Sequence, residues 1–229
     1  MPISISKAAL VVLALVVLGH GPTARADVIT ELPTTEKVVA LTFDACETKT
    51  PATLDKKIRD FLVKRKIPFT IFVSGRFARH NAADLAALAK LDFVELENHS
   101  LNHNNHMERL NDAEIRSEVE DNDELLAEIT GRHTRYFRFP AGNVSPRALK
   151  DVEDLGYHVV HWSFASGDPV RDLTPEVLSR WVLAKTRPGG ILIFHINGRG
   201  WSTGDALPGI VAELERKNYR FIRLDSLLP

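Results

Sequence analysis

Two histidines stand four residues apart in His99-Ser100-Leu101-Asn102-His103. Imidazoles at that spacing share one face if the turn is helical. As neutral ligands they suit a borderline ion such as Zn²⁺, with a third protein ligand leaving one position open for water or substrate. Such an ion polarises a carbonyl and lowers the pKa of bound water. The same stretch, running on into Asn104-Asn105-His106, is also ordinary polar-loop composition. Asp44 follows Leu41-Thr42-Phe43 and reads as a general base, a metal ligand, or the cap of a following helix. His195 follows Ile191-Leu192-Ile193-Phe194, placing it to donate a proton to a leaving group, and Asp168 would favour its charged form. The structural alternatives are a satisfied core histidine and, for Asp168, a turn residue before Pro169. Arg138 interrupts Tyr136, Phe137, Phe139 and Pro140. A guanidinium in so apolar a strand needs a buried anion, and Asp44 is the available candidate.

The elements that must hold these residues alternate. Apolar, β-branched runs occur at Val38–Phe43, Phe69–Val73, Asp92–Leu96, Tyr136–Phe139, His158–Phe164, Gly190–Ile196 and Tyr219–Leu224. Amphipathic stretches lie between them. Thr50-Pro51, Ser145-Pro146 and Thr174-Pro175 each put a capping hydroxyl before a proline suited to the first helical position. Asn111-Asp112-Ala113-Glu114 has capping-box spacing. Strands separated by helices predict a parallel sheet, and seven strands in this length predict a β/α barrel in one domain. Asp44, His99, Arg138, Asp168 and His195 then fall at the C-terminal strand ends, where βα loops converge and barrel active sites form.

Composition narrows the function. Lys7, the apolar run Ala8–Leu18 and Ala24-Arg25-Ala26 read as a signal peptide over residues 1–26, so the expectation is an exported domain, 27–229, periplasmic or secreted. The apolar run is shorter than the ~20 residues that span a bilayer, so no stable membrane insertion is expected after cleavage. Lys and Arg (29) nearly balance Asp and Glu (30), and no basic run occurs, which disfavours a nucleic-acid partner. A single cysteine, Cys46, excludes an internal disulfide framework.

Taken in order, Leu41-Thr42-Phe43-Asp44, His99-Ser100-Leu101-Asn102-His103, Arg138-Phe139-Pro140, Trp162-Ser163 with Asp168, and Ile193-Phe194-His195 resemble the five motifs of the polysaccharide deacetylases, the NodB-homology or carbohydrate esterase 4 family. The resemblance spans about Val38 to Leu224. It implies a distorted (β/α)7 barrel that removes acetyl groups from an N-acetylated polysaccharide or oligosaccharide. It also implies a divalent metal, zinc best, held by His99 and His103. Asp44 matches the general base, Arg138 its tether, His195 the general acid and Asp168 the residue that tunes it. The backbone N–H near Ala141 matches an oxyanion donor, and Trp162 belongs to the fourth motif beside the substrate.

Three departures stand out. Ala45 occupies the position of the family's third metal ligand, so that ligand is missing or is supplied by Asp44, Cys46 or Glu47. Ala141-Gly142 replaces the usual aromatic wall, and Ala165 and Pro169 alter the fourth motif. After His195, the loop Ile196-Asn197-Gly198-Arg199-Gly200-Trp201 offers Arg199 and Trp201 for substrate contact, or merely for packing. Two alternatives to a metal-dependent deacetylase follow: a glycan-binding descendant without turnover, and a metal-independent amide hydrolase.

Overall fold

A computed structural model describes residues 28–47 and 50–229. The expected signal peptide, and the junction at Asp27, lie outside the described residues. Seven strands alternate with helices: β1 Val38–Ala45, α1 Lys56–Arg65, β2 Phe69–Val73, α2 Gly75–His80, α3 Ala82–Leu88, β3 Val94–Asn98, α4 Asp112–Thr130, β4 Tyr136–Phe137, α5 Pro146–Asp154, β5 His158–Val159, α6 Pro175–Lys185, β6 Gly190–His195, α7 Thr203–Arg216 and β7 Arg220–Ile222.

The sheet runs β5-β4-β3-β2-β1-β6, every pair parallel, as long helical crossovers require. β7 pairs the first half of β1, Val38 to Ala40, and β2 takes over from Thr42. The sheet curls until the segment after β5 meets β6 through a parallel bridge, Phe164 to Leu192. Ile29 and Glu31 strap the same seam by bridging Val160 and Gly190. The result is a distorted (β/α)7 barrel, closed by bridges where an ideal barrel has a continuous ladder.

Period-two alternation sorts β1. Val39, Leu41, Phe43 and Ala45 pack with Ile58 and Leu62 of α1 and with Leu207, Ile210 and Val211 of α7. Ala40 joins an inner cluster with Phe72, Tyr136 and Ile191. Asp44, of the same parity as Ala40, is thereby directed to the inner mouth.

The expected helix starts at Pro146 and Pro175 are present, capped by Ser145 and Thr174, and Asn111 with Glu114 forms the capping box of α4. The start at Thr50-Pro51 is not. α1 begins at Lys56 because the Asp55 carboxylate accepts the N–H groups of Lys57 and Ile58, while Leu54 is buried in the preceding loop. The third strand begins two residues later than its apolar run predicts. The fourth and fifth are only two residues long, because the chain after Val159 leaves β4 and turns to close against β6.

Candidate active site and metal centre

Parallel pairing carries the polar strand ends to one mouth. Asp44 near the end of β1 is the direct register partner of His195 at the end of β6. His99 follows β3 and Arg138 follows β4. They line or underlie a cleft of about 290 Å³, whose walls include Asp44, Cys46, His103, Ala141, Trp162, Asp168, His195 and Arg199.

Arg138 is fully buried and has acceptors around its whole guanidinium. Nη1 donates to Asp44 Oδ1 (2.8 Å), Nη2 to Thr42 Oγ1 (3.0 Å) and the His161 carbonyl (2.8 Å), and Nε to the Val160 carbonyl (3.1 Å). Its carbon centre lies 3.9 Å over the Phe72 ring. This set offsets the desolvation that otherwise makes a buried ion pair costly. Burial alone would push the Asp44 carboxyl up. The adjacent His99, the Arg138 guanidinium and His195 together outweigh it and hold the carboxyl at about 2. Asp44 is therefore ionised at neutral pH, with Oδ2 free of the arginine.

His99 donates from Nδ1 to the Arg138 carbonyl (2.8 Å). A carbonyl only accepts, so the ring proton sits on Nδ1 and Nε2 presents a lone pair. That Nε2 is buried with no hydrogen-bond partner among the described residues, and lies 3.6 Å from Asp44 Oδ2. His103 Nδ1 is likewise buried and unpartnered. Burial holds the His99 imidazole below its ordinary pKa, and burial together with the adjacent His99 ring takes His103 down to about 3. Both rings are neutral, as metal ligation requires.

The two rings, with centroids 4.8 Å apart, are not brought together by a helical turn. Ser100 and His103 adopt left-handed backbone, at φ 65° and 54°. The loop is pinned from α4 and β3: Glu118 accepts from the Asn102 backbone and side chain, and Asn98 accepts from the Ser100 N–H and from Asn122. Sequence reading missed these supports. Their signal was present, since Glu118 and Asn122 are polar positions four residues apart on the face of α4 that also carries Ile115, Val119 and Leu126.

Asp168 is almost completely buried and bonded on both oxygens. Oδ1 accepts from His195 Nδ1 (2.9 Å) and Ser166 Oγ (3.1 Å); Oδ2 accepts from the His195 backbone N–H (2.7 Å) and Thr203 Oγ1 (2.9 Å). Burial disfavours a charged His195, but Asp168 overrides it and the imidazole pKa is raised. One cleft thus holds a carboxyl pushed down and an imidazole pushed up.

The positions inferred for substrate contact divide. Ala141, in left-handed backbone at φ 55°, lines the cleft with Trp162, and the indole packs so closely on Gly142 that a Cβ there would lie 2.7 Å from it. Arg199 lines the cleft and a neighbouring groove. Trp201 lies only in that groove, 46% exposed beneath the Arg171 guanidinium, and is not brought to the catalytic mouth. Ala45 contributes a methyl to the helix-facing core and no ligand.

The sequence profile of the polysaccharide deacetylase family matches residues 31–160, more than half of the chain. The chain belongs to the polysaccharide deacetylase family. It is an amide hydrolase by that membership. A peptidoglycan-N-acetylglucosamine deacetylase of Bacillus cereus is 29% identical over 86% of this chain and 91% of its own length. Among solved structures, an acetyl xylan esterase from Clostridium thermocellum, in complex with a cobalt ion, superposes with a TM-score of 0.74 at 25% identity, covering 83% of this chain and 90% of that one. A mutant of a Bacillus anthracis pseudoenzyme of carbohydrate esterase family 4, with restored enzymatic activity, gives 0.78 at 26% identity over 89% of this chain and 72% of that one. Beside these deacetylase folds, the described residues of this chain include no helix long and apolar enough to cross a membrane.

Proposed function

We propose that this polysaccharide deacetylase hydrolyses the N-acetyl amide of sugar units in an exported or cell-wall polysaccharide, peptidoglycan being the glycan named for the Bacillus cereus relative. The supporting observation is the opposed pair across the cleft: Asp44 kept ionised beside Arg138, and His195 with its pKa raised by Asp168. Asp44 Oδ2 accepts the proton of the attacking water, because Oδ1 is occupied by the arginine. His195 donates its proton to the departing amine nitrogen, and the products are acetate and a free amine. Ala141 and Trp162 wall the acyl side, with the Ala141 backbone amide assigned to the developing oxyanion. A divalent ion on His99 and His103, for which zinc matches two neutral imidazoles best, would polarise the amide carbonyl and acidify the attacking water. The residues fit it: each of the two buried, neutral imidazoles has an unpartnered nitrogen, and a ring nitrogen of each lies within 4.8 Å of the other.

The test is acetate release from N-acetylglucosamine oligomers and peptidoglycan by metal-loaded protein. Asp44→Asn and His195→Ala should each lose on the order of 10²–10⁴-fold in kcat. Wild type as inactive as both variants on every glycan would refute turnover. Export by the residue 1–26 segment predicts a mature protein beginning at Asp27, read by terminal sequencing.

A second reading, glycan binding without turnover, draws on Ala45 and on the fold shared with the pseudoenzyme. It predicts oligosaccharide affinity that Asp44→Asn leaves unchanged, with no acetate formed.

A further inference from the structure

We propose that the thiolate of Cys46 is the third protein ligand of the metal, making a two-histidine, one-cysteine centre. The inference rests on the metal-dependent reading above and specifies its ligand set. Cys46 stands two residues beyond Asp44, directly after β1, so the alternation that turns the Ala45 methyl into the helix layer returns Cys46 to the cleft. Its Sγ and ring nitrogens of His99 and His103 all lie within 4.8 Å of one another, and all three residues are buried. Ligands about 2.0–2.3 Å from one ion stand somewhat closer together than that, so binding would draw the three side chains inward.

The unpartnered nitrogens carry the argument. A buried polar atom without a hydrogen bond is costly, so one such nitrogen on each of two rings with centroids 4.8 Å apart calls for a ligand. Asp44 is tied through Oδ1 to Arg138, and its Oδ2 is the proton acceptor of the proposed reaction. Glu47 faces away, accepting from the Ala52 N–H (3.0 Å) and lying 2.8 Å from His80 Nδ1. Sulfur remains.

Burial, and then the Asp44 carboxylate, push the free Cys46 thiol up to about 12, so the thiolate forms only as the ion displaces the thiol proton to solvent. Asn197 Nδ2 donates to Sγ at 3.2 Å while also bonding the Cys46 carbonyl, and Arg199 lies against the sulfur. Such donors orient a ligating thiolate and moderate its charge. A thiolate beside two imidazoles favours zinc or cobalt over the oxygen-seeking magnesium, calcium and manganese, and three protein ligands leave one position open.

Cobalt(II) reports on sulfur ligation directly, through a sulfur-to-cobalt charge-transfer band in the near ultraviolet. Cys46 is the only cysteine of the chain, so no other thiol in it can give that band. The experiment loads metal-free protein with one equivalent of Co²⁺ and compares wild type with Cys46→Ser and with His99→Ala/His103→Ala, folding being checked by circular dichroism. The band should appear in wild type and vanish in both variants. Chelator competition should show Cys46→Ser weakened by more than the ~10–100-fold that loss of an outer partner costs. Cobalt bound through the histidines without the band would overturn Cys46 ligation and leave the metal-dependent reading intact. Wild type that retains neither cobalt nor zinc would overturn both. Should Cys46→Ser fail to fold, the wild-type spectrum alone decides.

Discussion

Replacing Asp168 by asparagine changes one atom, yet the surrounding bonds dictate where that atom goes. Oδ2 accepts from the His195 backbone N–H, which can only donate. The amide oxygen of the introduced asparagine must therefore take the Oδ2 position, and its NH₂ group must face His195 Nδ1. Nδ1 can then only accept, so the neutral ring carries its proton on Nε2 and the imidazolium becomes unfavourable. The general acid is lost while the fold is kept. A positioned general acid contributes ~10²–10⁴-fold, so kcat should fall by that range, equivalent to about 3–5 kcal/mol on the barrier. The pH profile gives the sign. In wild type the raised His195 pKa carries the acid form upward, and activity is lost as pH rises through that raised value. In Asp168→Asn the basic limb moves to lower pH. The assay is kcat for acetate release against pH, with thermal unfolding alongside. A kcat within about threefold of wild type, under 1 kcal/mol, and an unmoved basic limb would refute the assignment of Asp168 and His195.

Arg138→Leu leaves Asp44 as an uncompensated buried charge and should cost ~3–5 kcal/mol in urea unfolding at pH 7. In wild type the depression of Asp44 from 3.8 to about 2 contributes roughly 2 kcal/mol of stability above pH 3.8 that is lost as pH falls through 2, and the variant should lack this acid limb. Gly200→Ala should impair catalysis from outside the cleft: its Cβ would lie 2.7 Å from Asp168 Oδ2 and 2.5 Å from Thr203 Oγ1, so kcat falls and overpacking costs ~1–3 kcal/mol. Glu97, whose carboxyl burial drives well above the usual range, accepts the backbone N–H groups of Arg135 and Tyr136 through Oε2. Glu97→Gln keeps an oxygen for both and should stay within about 0.5 kcal/mol at pH 6. Glu97→Ala should lose ~1–3 kcal/mol, measured by the same unfolding.

The barrel and its mouth were legible because Asp44, Arg138 and His195 each interrupt or end an apolar run. A charged side chain in such a place needs a reason, and Arg138 found Asp44 as its composition required. Local chemistry also located the helices whose caps act through adjacent residues, as at Asn111 and Ser145. What stayed hidden depends on partners distant in the chain. The helix after β1 starts at Lys56, capped by Asp55 rather than Thr50, because Leu54 is anchored by Asn81. The His99–His103 approach rests on left-handed backbone held by α4, which spacing alone cannot reveal. Cys46 gains its setting from Asn197, across the β1–β6 pairing. Trp201 has the composition of a sugar platform, but the turn after β6 carries it into the neighbouring groove.

The seam at Ile29 and Glu31 bears on how the chain reaches its native state. Their bridge partners, Val160 and Gly190, lie most of the sequence away. During synthesis this strap emerges early, but it cannot dock until nearly the whole barrel has followed. Loop closure over so long a span is entropically slow, and contacts of this kind retard folding. The unclosed barrel leaves its β5–β6 edge open meanwhile, a template for pairing with another chain. A tag fused directly at Val28 would burden that final step, whereas one placed after Pro229 would leave the strap free to dock.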